Sequence, residues 1–219
     1  MENTRFQVKA ILLDLDGTVV DSRRAYLEAA KTAFAAMGKK TVDVSIVTEI
    51  PKRIEQNLPI DNLLNGIGTK EFLEVYLRAY YRATTERSRP MPGISETLKR
   101  LSEKAKLALI TMRHIPRARV VEELEGFGLA RYFQHVVTAL DTQYPKPSPE
   151  ALMCCAERMN VQVSDCLVVG DSVVDIRAGK NARTKTVGVL SGIFSLVELE
   201  AEKPDLILES VNRLPDFLV

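Results

Sequence analysis

Side chains suited to one piece of chemistry stand far apart in this sequence. Asp14 and Asp16 stand two apart in Asp14-Leu15-Asp16-Gly17-Thr18, Asp171 and Asp175 stand four apart after Gly170, and Thr111 and Lys146 lie between them. The oxygens of Asp14, Asp16 and Asp171 suit a hard cation. A Mg2+ ion that keeps several waters and bridges to a phosphate fits them better than a full calcium cage. Three carboxylates crowded together repel strongly without such a cation. Lys146 and the Thr111 hydroxyl are donors for phosphate oxygens, and backbone N–H groups of the Gly17 turn can add more. In that setting one carboxylate can attack phosphorus and form an aspartyl-phosphate. A second can protonate the leaving alcohol and then activate water.

For these residues to meet, the chain must bring several element ends together. Short apolar runs recur at Val8–Leu13, Leu107–Ile110, Val136–Ala139, Leu167–Val169, Thr186–Leu190 and Leu206–Leu208, and their length and branched content predict strands buried on both faces. Helical stretches alternate with them: Ile94–Lys104, Pro116–Phe127, Ser148–Met159 with Ser148 as N-cap and Pro149 at the first position, and Asp175–Asn181. Alternation of this kind implies a parallel sheet with right-handed crossovers. Asp14, Thr111, Lys146 and Asp171 follow the first four strands, so they share one sheet edge, where ligands of such folds bind.

The stretch 20–89 departs from the alternation. It has no buried strand but two helical patterns, Ser22–Met37 and Lys70–Thr84, with pieces between them punctuated by Pro51, Pro59, Gly66 and Gly68. The expected organisation is an α/β core of residues 1–19 and 90–219 with a helical insertion, 20–89, after the first strand.

Composition narrows the function classes. At 219 residues the chain allows one large domain, or one domain with a small companion. Lys+Arg 30 against Asp+Glu 29 gives a net charge of +1, so no strong basic field is present to hold nucleic acid. Three cysteines, two of them adjacent, form neither a disulfide framework nor a zinc spacing. The start, Met1-Glu2-Asn3-Thr4-Arg5, does not read as a signal peptide, and no apolar run reaches the roughly 18 residues of a membrane span. A cytoplasmic protein, monomeric or weakly dimeric, without nucleic-acid or membrane partners is expected.

The stretch Asp14 to Ser22 resembles the first motif of the haloacid dehalogenase-like hydrolase superfamily. Thr111 is similar to its second motif, Lys146-Pro147-Ser148-Pro149-Glu150 to its third, and Gly170-Asp171-Ser172-Val173-Val174-Asp175 to its fourth. The order matches and the motifs span nearly the whole chain. The position of the insertion resembles the helical cap of the phosphoglycolate phosphatase-like branch. The resemblance implies a Rossmann-like doubly wound parallel sheet with that cap. It also implies Asp14 as nucleophile and Mg2+ ligand, and Asp16 as general acid/base and ligand through its backbone carbonyl. Thr111 and Lys146 would hold the phosphoryl group with Gly17 and Thr18, and Asp171 and Asp175 would complete the metal site. Met112 stands where an asparagine often follows the second-motif threonine, and Arg183 where a glycine is common.

The function expected is a Mg2+-dependent phosphatase acting on a small phosphorylated metabolite that enters between cap and core, with 2-phosphoglycolate as the leading substrate. The connections Val19–Asp21 and Arg89–Gly93 would be the hinges. Pyrophosphate, a sugar phosphate or a nucleotide are alternative substrates, and a sugar phosphomutase is an alternative activity. A non-enzymatic phospho-acceptor switch would use a similar Asp, Thr and Lys set, but such domains are shorter and lack a helical cap. Lys52, Arg53 and Arg113 are expected to be solvated surface groups. Asp175 also suits capping of the helix that begins there. Tyr76, Tyr80 and Tyr81 are expected to pack inside the insertion.

Overall fold

The computed structural model describes residues 5–39 and 41–219. Met1 to Thr4, part of the N-terminal stretch read above, lie outside the described residues. The chain divides into two compact units: residues through Val20 together with Pro90–Val219, and Asp21–Arg89.

In the first unit the apolar runs form six strands: β1 (Ala10–Leu13), β4 (Lys106–Ile110), β5 (His135–Val137), β6 (Cys166–Gly170), β7 (Lys185–Val189) and β8 (Leu206–Leu208). They lie in one sheet in the order β5-β4-β1-β6-β7-β8, and every pairing is parallel. Each expected strand is present, Leu206–Leu208 with the same bounds and the others shifted by a residue or two at one or both ends. Period-2 alternation divides the side chains between two cores. Ile11, Leu13, Leu107, Leu109, Leu167 and Val169 face α4 (Ile94–Ser102) and α5 (Arg117–Gly126). Ala10, Leu12, Ala108, Ile110, Cys166 and Val168 face α6 (Glu150–Arg158) and α7 (Val173–Asn181). Helices on both faces leave no face of the sheet to water, which is why the strands read as continuous apolar runs. A shorter helix, α8 (Leu196–Ala201), packs Leu199 with Val173, Val174 and Ile176 of α7.

Strand order sets the location of the crevice. From β1 the chain passes to β4 and β5 on one side, and then returns to β6, β7 and β8 on the other. The order reverses at the β1/β6 pair, where Leu13 is in register with Val169. A doubly wound sheet opens a ligand crevice beyond the strand ends at such a reversal.

The second unit contains α1 (Arg23–Ala36), α2 (Val44–Glu55) and α3 (Thr69–Arg87). Alanines at 25, 29, 30 and 33 keep the buried face of α1 shallow. Tyr26 stacks on Tyr80 with ring centroids 5.3 Å apart, and Phe34 meets Phe72 edge-on at 4.8 Å, so α1 and α3 run antiparallel. Tyr76 and Tyr80 are buried, as the sequence pattern implies. Pro51, read as punctuation, instead lies inside α2 and is buried with Val47 and Ile50. A proline there removes one helical hydrogen bond, and burial of the apolar face keeps the helix intact past it. Two-residue strands, β2 (Val20–Asp21) and β3 (Arg89–Pro90), pair where the chain leaves and re-enters the first unit.

Two local expectations are corrected. The N-cap of α6 is Pro149, with Ser148 one residue further out, where its hydroxyl accepts from the Glu150 N–H at 3.3 Å. The N-cap of α7 is Ser172, which forms a reciprocal capping box with Asp175. Among the described residues no helix is long and apolar enough to cross a membrane.

Candidate active site

Asp14 is the first residue beyond β1, and its N–H donates to the Val169 carbonyl of β6 at 2.9 Å, which extends the β1/β6 ladder to the sheet edge. Asp171 is the first residue beyond β6, and Asp175 lies in the first turn of α7. The carboxylate oxygens offered by Asp14, Asp171 and Asp175 all lie within 4.8 Å of one another, and all three residues are buried. Lys146 enters the same group. Its Nζ donates to Asp14 Oδ1 at 2.6 Å, to Asp175 Oδ1 at 2.5 Å and to the Ile110 carbonyl at the end of β4 at 3.3 Å. Thr111 follows Ile110 and is buried; its N–H donates to the Val137 carbonyl of β5 at 2.9 Å.

Asp175 makes two contacts here, one within the capping box of α7 and one to Lys146. Its Oδ2 accepts from the Ser172 N–H at 3.2 Å as a helix cap, and its Oδ1 holds Lys146. Gly17 has φ +82°, and a β-carbon there would lie 2.6 Å from the Asp171 carboxylate, so both its conformation and its neighbour call for glycine. Thr18 is fully buried, and its hydroxyl has no hydrogen-bond partner among the described residues.

The electrostatics follow from this crowding. Burial pushes the Asp14 carboxyl well above the usual carboxylate range; Lys146 pulls it back, while Asp175 and Asp16 push it further up. Burial alone would lower the Lys146 ammonium, but Asp14 and Asp175 hold it above the usual lysine value. Three buried carboxylates against one ammonium leave two uncompensated negative charges when all are ionised. That balance, and the all-oxygen donor set, fit a divalent hard cation.

Arg113 is not the surface group expected. It is 2% exposed, and its guanidinium donates to both Asp16 oxygens, Nε to Oδ2 at 2.8 Å and Nη2 to Oδ1 at 2.7 Å. Its Nη1 also pairs with Glu123 of α5. Burial pushes the Glu123 carboxyl up, and Arg113 pulls it back. Arg53 is likewise partly buried, tied to Glu49 at 2.7 Å, the Pro59 carbonyl at 3.0 Å and Asn62 Oδ1 at 2.6 Å.

The loop after β7 also reaches this group of residues, which the sequence motifs do not indicate. Ser191 Oγ donates to the Gly17 carbonyl at 2.7 Å, and the Ile193 N–H donates to Asp171 Oδ2 at 3.1 Å. A cue lies in the sequence: Ser191-Gly192 follows a strand at the same sheet edge, and a glycine beside a strand end often admits a close backbone approach.

Comparison with known proteins gives a consistent result. A family model described as haloacid dehalogenase-like hydrolase matches residues 11–189. A phosphoglycolate phosphatase from Vibrio parahaemolyticus is 31% identical over 221 residues, covering 96% of each chain. A pyrophosphatase, PpaX, from Bacillus velezensis is 29% identical over 216 residues, covering 95% of each. Among solved structures, a haloacid dehalogenase-like family hydrolase from Streptococcus pneumoniae superposes with a TM-score of 0.81 at 16% identity, over 96% of this chain and 98% of that one. With the motif order, the doubly wound sheet and the matched span in agreement, this chain belongs to the haloacid dehalogenase-like hydrolases.

Proposed function

We propose that this hydrolase is a Mg2+-dependent phosphatase that cleaves a small phosphorylated metabolite through a phosphorylated Asp14, with 2-phosphoglycolate as the leading substrate. The observation that carries the reading is the buried group in which Lys146 bridges Asp14 and Asp175 beside Asp171. In this reading Asp14, Asp171 and Asp175, with the Asp16 carbonyl, hold the metal. The bound cation would offset negative charge on the phosphoryl oxygens and on Asp14.

The chain's own groups do the rest. Asp14 attacks phosphorus in line, and its carboxylate gains a bond as the ester oxygen loses one. Asp16 gives a proton to that oxygen, so the alcohol leaves neutral. Asp16, now ionised, takes a proton from water as the water attacks phosphorus, and Asp14 and phosphate are released. Lys146 and Thr111, with the Gly17–Thr18 turn, steady the phosphoryl group, so that catalysis rests on positioning and preset charge. Residues 20–89 are assigned as the cap and residues 1–19 with 90–219 as the core.

The substrate reading draws on the Vibrio parahaemolyticus relative, named phosphoglycolate phosphatase. The Bacillus velezensis relative, named pyrophosphatase, supports pyrophosphate as a second candidate. The test is phosphate release from a panel holding 2-phosphoglycolate, pyrophosphate, sugar phosphates and nucleoside monophosphates, with Mg2+ and with chelator. Release that needs Mg2+ and is fastest for 2-phosphoglycolate is the expected result. Release undiminished by chelator would overturn the metal dependence, and a faster rate on another compound would replace the substrate.

A further inference from the structure

Arg113 joins parts of the site that are otherwise separate in sequence. Its side chain holds the Asp16 carboxylate by two hydrogen bonds, and its backbone N–H donates to the Thr111 hydroxyl oxygen at 3.2 Å. The Ala139 N–H donates to the Arg113 carbonyl at 3.2 Å, which fixes the same residue to the segment after β5. Glu123 takes the remaining face of the guanidinium from α5. A planar fork held on both sides fixes the plane and the position of a carboxylate, whereas a lysine would fix only one oxygen.

A cation buried between two carboxylates is a poor device for stability alone. An apolar group of similar volume often serves as well or better. Here the ion pair terminates on the second aspartate of the first motif.

We propose that Arg113 is a positioning residue for the reaction: it fixes the plane of the resting, ionised Asp16 carboxylate so that the group, once protonated, faces the oxygen leaving phosphorus, and Glu123 sets Arg113. The inference rests on the reading of Asp16 as the proton donor. As the P–O bond breaks, its electron pair stays on the leaving oxygen, which takes the Asp16 proton. An alkoxide needs that proton badly. A p-nitrophenolate is stable as an anion and needs it little.

Leaving-group dependence therefore separates positioning from general structural damage. The measurement is kcat/KM with Mg2+ for the fastest alkyl phosphate of the panel and for p-nitrophenyl phosphate, in wild type, Arg113→Met, Arg113→Lys and Asp16→Asn. Arg113→Met is expected to lose at least about tenfold more on the alkyl phosphate than on p-nitrophenyl phosphate. Arg113→Lys is expected to recover part of that difference, and Asp16→Asn to show it most strongly. If Arg113→Met fails to fold because two buried carboxylates lose their shared cation, the double variant Arg113→Met/Glu123→Gln carries the same test with one uncompensated charge fewer. Equal losses on the two substrates in the folded Arg113 variants, with Asp16→Asn still discriminating, would overturn the role of Arg113 alone. A non-discriminating Asp16→Asn would overturn the reading of Asp16 and the inference with it.

Discussion

Gly192 and Asp171 lie so close that a β-carbon on Gly192 would sit 1.7 Å from Asp171 Oδ2 and 2.5 Å from Asp171 Cβ. The loop after β7 thus packs its backbone directly on the aspartate assigned to the metal, and the neighbouring Ile193 N–H holds one of that aspartate's oxygens. Gly192→Ala must displace the carboxylate or the loop. Groups that orient a metal ligand typically alter metal affinity 10- to 100-fold when lost, so Gly192→Ala is expected to weaken Mg2+ binding by about tenfold or more. Ser191→Ala, which removes only the hydrogen bond to the Gly17 carbonyl, is expected to have a smaller effect. Calorimetric titration with Mg2+ checks both, and an unchanged affinity in Gly192→Ala would remove the loop from the site.

This contact also marks the boundary of what the sequence makes legible. Asp14 and Asp171 each follow an apolar run, and a parallel sheet brings such ends to one edge whatever the loop lengths, so their meeting can be read from the chain alone. Gly192 follows a strand in the same way, yet its role depends on how closely a loop packs over a neighbouring strand end, which no periodicity encodes. Arg113 is harder still. An arginine three residues after a strand is exposed by default, and its buried charge here is met by Asp16 and by Glu123, one acidic residue among Glu122, Glu123 and Glu125 on α5. Pro51 shows the same limit from the other side, since a local helix-breaking preference yields to burial of the face that carries it.

Asp14→Asn is expected to abolish phosphate release, by about three orders of magnitude or more, with little loss of thermal stability. Burial already opposes the charged form of Asp14, so a neutral side chain of the same shape is not penalised there, and Lys146 keeps Asp175 as its partner. Labelled substrate with wild type should leave a hydroxylamine-sensitive phosphoryl group on the protein, and the variant should carry none. Turnover retained in Asp14→Asn would refute the nucleophile assignment.

Arg183 has φ +59° just beyond α7, in the left-handed region. A residue with a β-carbon pays roughly 1–2 kcal/mol there, while a glycine loses about 0.5–1 kcal/mol more backbone freedom on folding. Arg183→Gly is therefore expected to leave stability unchanged or raise it by up to about 1.5 kcal/mol, roughly 3–6 °C in Tm for a chain of this size. A thermal melt checks the sign. Activity should not change, because Arg183 is exposed and takes no part in the Asp14–Lys146 group.

Lys146 is in direct contact with both Asp14 and Asp175, at 2.6 and 2.5 Å. Lys146→Met keeps most of the side-chain volume but leaves two buried carboxylates facing each other. Removing one member of a buried ion pair costs about 3–5 kcal/mol, and here the loss also exposes like-charge repulsion. The proposed metal adds a distinguishing feature. If Mg2+ binds Asp14, Asp171 and Asp175, it supplies positive charge to the same oxygens, so the deficit of Lys146→Met should narrow as Mg2+ is raised. Urea unfolding of wild type and variant, with Mg2+ and with chelator, measures this directly. A deficit that Mg2+ leaves untouched would mean that the cation does not bind these carboxylates, and the metal site would have to be sought elsewhere.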